Sequence, residues 1–316
     1  MIKTGIYGQF DGQTDILENI FNVAELKVLG WYTSETDNQE ELFDNLRIKK
    51  YSGISSLINE VDAVIAFSPM SNIADVEFFV KNSKHVFFEP SSIYSNEDLL
   101  KLVSVVDEAN VKVQAAFHYR FNNTFLAAKP FIKFPKFIQS NNFKTFNSDT
   151  KSSSVLLDML KNDIDIVLSV VKSNIKKISA NATSVSSKDP DIIDTRIEFM
   201  NGSVAQLTVG RISTENSHII NFYCPKNYVN IDFYNNKVCQ IKKRDANNDI
   251  ELFSENIGDL IVVPIPTKNN NQYYDELSSF ANAIVHNKTP EVDFETLIKT
   301  YRIIDEIERQ IKFFCE

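Results

Sequence analysis

The chain has 316 residues, 43% of them hydrophobic and 24% charged, a globular composition long enough for two domains with separate cores. A formal net charge of −9 supplies no basic footprint for nucleic acid, and no apolar run approaches the roughly 20 residues of a membrane span. The N-terminus lacks the charged region, apolar stretch and cleavage site of a signal peptide, and Cys224, Cys239 and Cys315 are odd in number with no metal-ligand spacing, so reduced thiols, no metal and a cytoplasmic location are expected.

The first 120 residues alternate between strand and helix periods. "KTGIYG" reads as a strand and "TDILENIFNV" as a helix with Ile16, Ile20 and Phe21 on one side. Strand "LKVLGWY", helix "SGISSLINEV", strand "DAVIAFS", helix "NIADVEFFVKNS", strand "HVFFE", helix "NEDLLKLVSVVDEAN" and strand "KVQAAF" follow. Short apolar strands separated by amphipathic helices predict a parallel sheet covered on both faces, an α/β doubly wound, nucleotide-binding type of domain over residues 1–119.

Beyond residue 120 the pattern changes. "SVLLDMLKNDIDIVLSVVK" predicts a helix whose apolar face carries Leu156, Met159, Leu160, Ile164, Val167, Leu168 and Val171. "DTRIEFM" and "SVAQLTVG" flank Asn201-Gly202, a hairpin signal that points to a type I′ turn with two positive φ angles. "HIINFYC", "NYVNIDFY" and "KVCQIKK" continue as antiparallel strands, and alternation places Phe222, Tyr228 and Phe233 on the outer face. Two helices close the chain, the last lined by Phe294, Leu297, Ile298, Tyr301, Ile304, Ile307 and Ile311. Residues 120–316 are thus expected to form an α+β domain with an open, mainly antiparallel sheet.

Several stretches resemble the Gfo/Idh/MocA family of NAD(P)-dependent sugar and polyol oxidoreductases, in order along nearly the whole chain. "VDAVIAFSP" is similar to the family's third core strand and Thr-Pro-Asn loop, and "KHVFFEPSS" to its Lys-His-Val…Glu-Lys-Pro segment. "FHYRFNN" resembles its Arg-Phe-Asn-Pro stretch, "LLDMLKNDID" its Asp-x-x-x-His-Asp-x-Asp helix, and "YYDELSSFANAIVHNKTPEVDFE" its penultimate helix. The resemblance implies a Rossmann domain followed by a sheet domain that builds homodimers or homotetramers, NAD or NADP as cofactor, and a small sugar-like substrate. It implies cofactor contacts at Gly8, Gln9, Phe10, Asp11, Thr33, Ser34, Ser68, Pro69 and Glu89.

The chemistry departs from the family pattern. In the family a lysine after the glutamate and a histidine four residues after the helix aspartate move the substrate proton, aided by that aspartate. Here Pro90 stands at the lysine position and Asn162 at the histidine position, while Asp158 is retained. Asparagine holds a hydrogen bond but does not exchange a proton at neutral pH. His118, at the end of a strand where open α/β sheets bind ligands, is the best replacement acid, with Lys161 and Tyr119 behind it. Arg120 reads as a brace, and His85 at a strand start as structural. The polar positions Asp158, Asn162 and Asp165 are spaced i, i+4, i+7 on one side of their helix.

The glycine loop departs too. Gly8 is the first glycine of the dinucleotide pattern, but Phe10 and Gln13 occupy the other two places and Gly12 falls one residue early. The second glycine ordinarily lets the backbone approach the pyrophosphate, and the third lets helix and strand pack closely. After the second strand, Tyr32, Thr33 and Ser34 stand where a carboxylate would hold the ribose, and Ile73 replaces the family's loop histidine. Two functions therefore compete: a diverged oxidoreductase with relocated proton groups, and a catalytically inactive ligand-binding or scaffold protein that assembles with itself or an active relative.

Overall fold

The computed structural model describes residues 1–8, 14–33, 43, 47–70, 73–90, 94, 96–146, 152–186, 189–243, 255–257 and 259–312, with backbone alone at 14–15, 67–70, 96, 152–154, 255–257 and 312. In chain order the elements are β1 (Ile2–Tyr7), α1 (Thr14–Asn22), β2 (Leu26–Tyr32), β3 (Lys49–Lys50), α2 (Ile54–Ile58), β4 (Ala63–Met70), α3 (Ile73–Lys81), β5 (His85–Pro90), α4 (Asn96–Ala109) and β6 (Val113–Ala115). A 3₁₀ turn at His118–Phe121 leads to α5 (Asn123–Ala128), β7 (Phe137–Phe143), α6 (Ser152–Val170), β8 (Ile175–Thr183), β9 (Ile192–Phe199) and β10 (Val204–Gly210). Then come β11 (Ser217–Cys224), β12 (Asn227–Asp232), β13 (Lys237–Lys243), β14 (Glu255–Ile257), β15 (Leu260–Pro264), α7 (Gln272–Val285) and α8 (Phe294–Lys312). Two compact units result: Met1–His118 with Asn271–Tyr301, and Tyr119–Asn270 with Arg302–Glu316. Helix α7, late in the chain, thus belongs with the first unit.

In the first unit six parallel strands run in the order β3-β2-β1-β4-β5-β6. Apart from the short edge strand β3, which is Lys49–Lys50, the strands are largely apolar and buried, as expected of a parallel sheet covered by helices. On one face Ile16, Leu17 and Ile20 of α1 pack with Trp31, Phe43, Phe87, Leu277, Phe280 and Ala281. Burying a side chain of this size contributes roughly 1.5–3 kcal/mol. Phe21 does not join them; it is 41% exposed, because consecutive helical residues are about 100° apart and Ile20 already takes the core direction. Gly30 of β2 meets a specific demand. A Cβ there would lie 2.4 Å from the Lys49 carbonyl oxygen and 2.4 Å from the Tyr51 ring, so only glycine admits this pairing with β3.

In the second unit nine strands run in the order β14-β15-β13-β12-β11-β7-β10-β9-β8. Pairing is antiparallel except between β7 and β10, which are parallel, so the sheet is open and mainly antiparallel. One face buries Ile138, Leu207, Val209, Ile220 and Phe222 against Leu156, Leu160, Ile164 and Val167 of α6 and Ile303, Ile304 and Ile307 of α8. Phe222 and Phe233 are buried on this inner side, contrary to the alternation expected from sequence. The register of β11 pairs Phe222 with Ile138 and Tyr223 with Phe137, which turns Tyr223 outward instead. There Tyr223 stacks on Tyr228 at 4.7 Å and lies 5.7 Å from the Phe137 ring.

The hairpin between β9 and β10 is present, but its turn is not type I′. Gly202 has a φ of 81°, while Asn201 is absent from the positive-φ residues. Gly202 N–H donates to Phe199 O at 3.0 Å and Phe199 N–H to Ser203 O at 2.9 Å, the pattern of a three-residue loop closed by one left-handed glycine. No described helix is long and apolar enough to cross a membrane.

Candidate active site

The carboxyl ends of the first unit's strands carry the predicted cofactor positions. Gly8 leaves β1 with a φ of 99°, a conformation that glycine adopts without a steric penalty, and its N–H donates to Tyr32 O at 3.1 Å. Beside it the Tyr7 hydroxyl donates to Asp75 Oδ2 of α3 at 3.1 Å, with the ring edge-on to Phe79 at 5.1 Å. Burial first, and then the Asp75 carboxylate, push the Tyr7 phenol well above its ordinary pKa, so this donor stays protonated. Thr33 is buried just beyond β2. Ser68 and Pro69 lie on the final stretch of β4, and Glu89 and Pro90 end β5, Glu89 half-buried and Pro90 buried beside Met70. Gln9, Phe10, Asp11 and Ser34 lie outside the described residues.

His118 follows β6 at the same end of the sheet. Its Nδ1 pairs with Glu276 Oε2 of α7, and the other carboxylate oxygen accepts the Phe117 N–H at 2.6 Å. Tyr273, on the same helix, meets the imidazole edge-on at 4.6 Å. The Glu276 side chain is 1% exposed and that of His118 23%. A buried carboxylate thus holds a ring that reaches the surface.

The remaining predicted residues belong to the second unit. On α6, Asp158 is half exposed, and Lys161, 7% exposed, places Nζ 3.3 Å from Asp158 Oδ1. The Asn162 amide donates to the Asp158 backbone carbonyl at 3.0 Å, one helical turn back. Asp165, unlike Asp158, is buried; it accepts Arg120 Nε–H at 2.6 Å and Nη2–H at 2.7 Å. The Tyr119 ring packs edge-on to His218 at 4.9 Å and to Phe233 at 5.0 Å. His218 in turn places Nε2 2.7 Å from Asp163 Oδ1, both side chains buried, and Ser140 Oγ–H donates to Asp163 Oδ2 at 2.8 Å. Among the described residues no group of His, Cys, Asp and Glu is arranged to hold a metal ion.

No family model matches the chain. It is 21% identical over 245 residues to the curated UDP-N-acetylglucosamine 3-dehydrogenase of Acidithiobacillus ferrooxidans, covering 75% of this chain and 74% of that one. The solved structure of that Acidithiobacillus enzyme superposes with a TM-score of 0.90 over 100% of this chain and 99% of its own, at 16% identity. An oxidoreductase from Agrobacterium radiobacter, solved in complex with NAD+, L-tartaric acid and magnesium, superposes with a TM-score of 0.83 at 11% identity, over 98% of this chain and 96% of that one. The chain shares the fold of these two enzymes over essentially its whole length. Of the two positions singled out from the sequence, Pro90 ends β5 and Asn162 bonds to its own helix.

Glu276 and Asp163 are among the buried carboxylates that the sequence reading did not single out. Glu276 occurs on the apolar face of α7 beside Leu277, Phe280 and Ala281, and Asp163 on the apolar face of α6 beside Leu160, Ile164 and Val167. A charge inside an apolar stripe was the available signal, since burial of a carboxylate demands a partner.

Proposed function

We propose that the chain is an NAD(P)-dependent oxidoreductase of sugar-like substrates, with His118 as its proton-transfer residue in place of the family's lysine and histidine. The similarity to UDP-N-acetylglucosamine 3-dehydrogenase along three quarters of both chains carries this reading. The strand order β3-β2-β1-β4-β5-β6 supports it, because dinucleotides bind outside the carboxyl ends of such sheets where the order reverses, here between β1 and β4. Gly8 fits that role, its positive φ turning the chain out of β1 without a side chain. Gly8, Thr33, Ser68, Pro69 and Glu89, with Gln9, Phe10, Asp11 and Ser34 of the loops, would hold the dinucleotide. A bound nicotinamide supplies the hydride acceptor or donor. His118 moves the hydroxyl proton, with Asp158 as the retained family carboxylate and Lys161, Asn162 and Tyr119 as further candidates. The assembly proposed is a homodimer or homotetramer.

The test is calorimetric titration with NAD+, NADH, NADP+ and NADPH, followed by turnover of UDP-N-acetylglucosamine. Saturable binding and turnover that His118→Asn lowers by about 10²–10⁴-fold support the reading. Pro90→Lys with Asn162→His should then raise the rate. One observation favours a second reading, ligand binding without turnover: the two usual proton carriers are a buried proline and an amide bonded to its own helix. Binding of the sugar nucleotide with no reduction of any dinucleotide would establish that alternative.

A further inference from the structure

Four histidines occupy four different environments. His85 is half-buried and accepts the Lys112 N–H on Nδ1 at 2.8 Å. His218 is buried with its ring stacked on Phe233 at 4.6 Å. His286 is exposed at the carboxyl end of α7. Only His118 combines a ring that reaches the surface with a fully buried carboxylate on one nitrogen. In the His218–Asp163 pair both members are buried, so that ring is closed to any substrate.

The burial of Glu276 needs a reason. A carboxylate removed from water costs several kcal/mol unless hydrogen bonds and a countercharge replace its solvation. Here Oε1 is satisfied by the Phe117 N–H and Oε2 by His118 Nδ1, both immediately after β6. The same helix places Tyr273 against the imidazole edge. Two consecutive residues are therefore clamped by one side chain, and the ring is held from two sides. A carboxylate on one ring nitrogen selects the tautomer with its proton there, which leaves the lone pair on the other.

We propose that Glu276 is the positioning residue of His118: it keeps the proton on Nδ1 so that Nε2 accepts the substrate hydroxyl proton in the oxidation proposed above. The inference rests on that reading for its reaction, though not for its geometry. In the step, the substrate O–H bond breaks and an Nε2–H bond forms. The O–H electron pair becomes the second C–O bond, and the hydride leaves the carbinol carbon with its pair for the oxidised nicotinamide dinucleotide. The substrate loses two electrons and the dinucleotide gains them. The imidazolium left behind is neutralised by the Glu276 carboxylate. Among the described residues, α7 contributes two titratable groups that face the ring, Glu276 and Tyr273.

The experiment has two independent arms. Nitrogen-15 NMR of the unaltered chain, without substrate, should find His118 as the Nδ1–H tautomer with a strongly deshielded ring proton. Glu276→Gln should lose that signal while Glu276→Asp keeps it in part. In turnover of UDP-N-acetylglucosamine with NAD+ or NADP+, Glu276→Gln should lower kcat by about 10²-fold or more, with KM within about threefold. The limb of the kcat/KM profile that depends on His118 should move to lower pH, because loss of the carboxylate favours the neutral ring. A bare Nδ1 in the unaltered chain, or an undiminished kcat in Glu276→Gln, overturns the proposal. If the unaltered chain oxidises no substrate, the proposed reaction fails, and the NMR arm still decides whether Glu276 sets the tautomer. Should Glu276→Gln fail to fold, the unaltered chain and Glu276→Asp supply the tautomer, and Glu276→Asp the kcat.

Discussion

Arg120 grips Asp165 through two parallel contacts of 2.6 and 2.7 Å, with 9% and 1% of the side chains exposed. The fork of the guanidinium matches both carboxylate oxygens, a geometry that lysine cannot copy. Removing one member takes two charge-assisted hydrogen bonds away from a buried charge. Asp165→Asn should therefore cost about 3–5 kcal/mol of unfolding free energy. Arg120→Lys should cost less, since charge survives without the fork. Urea unfolding of both variants checks this, and a loss below about 1 kcal/mol for Asp165→Asn would contradict it.

Asp191 ties the end of β9 to its preceding loop. Burial works against its charged form. The Ser186 and Val185 N–H groups, each at 2.7 Å, and Arg211 at 2.9 Å outweigh that and hold the carboxyl at about 2. The folded value lies below the roughly 3.9 of an unfolded aspartate. Its contribution to stability is therefore present in full above about pH 4 and lost as pH falls toward 2. Asp191→Asn should be clearly less stable than the unaltered chain at pH 7, with the gap closing between pH 4 and 2. Paired unfolding midpoints measured over that range, if they stay a constant distance apart, would sink the assignment.

His85 is set the opposite way from an ion-paired histidine. Its Nδ1 accepts a backbone N–H, and burial, followed by the nearby Lys112 charge, lowers its pKa. The unfolded state therefore takes up a proton at a higher pH than the folded state. Stability from this site is complete above about pH 6.5 and declines as pH falls below it. An NMR titration should find the His85 ring neutral at pH 6.5; a midpoint at or above that value would refute the assignment.

The outer face of the nine-stranded sheet presents Phe137, Tyr223 and Tyr228. An open sheet buries one face on its own helices and leaves the other available. We expect light scattering at micromolar concentration to give at least twice the 36.1 kDa chain mass. Tyr223→Lys with Tyr228→Lys should shift the mass toward that of one chain without unfolding it. A monomer mass for the unaltered protein would remove the proposed assembly.

Much of this architecture is determined locally. A strand repeats every two residues and a helix every 3.6, so "LKVLGWY" and the apolar stripe of "FETLIKTYRIIDEIERQI" mark β2 and α8 without reference to any partner. Gly8 likewise announces a turn out of β1, because no other residue takes its φ as easily. Pairing was decided elsewhere. The register of β11 on β7 turned Phe222 inward and Tyr223 outward, and a shift of one residue would have reversed both. The parallel match of β7 to β10 joins strands more than 60 residues apart, which no local period encodes. Asn201-Gly202 carried the hairpin but not its turn type, which depends on how the flanking strands meet. His118 was visible as a titratable residue after a strand, yet its carboxylate lies 158 residues further along. The tertiary structure alone brings Glu276 to it, because the packing of α7 on the six-stranded sheet spends that carboxylate's burial on two successive groups after β6.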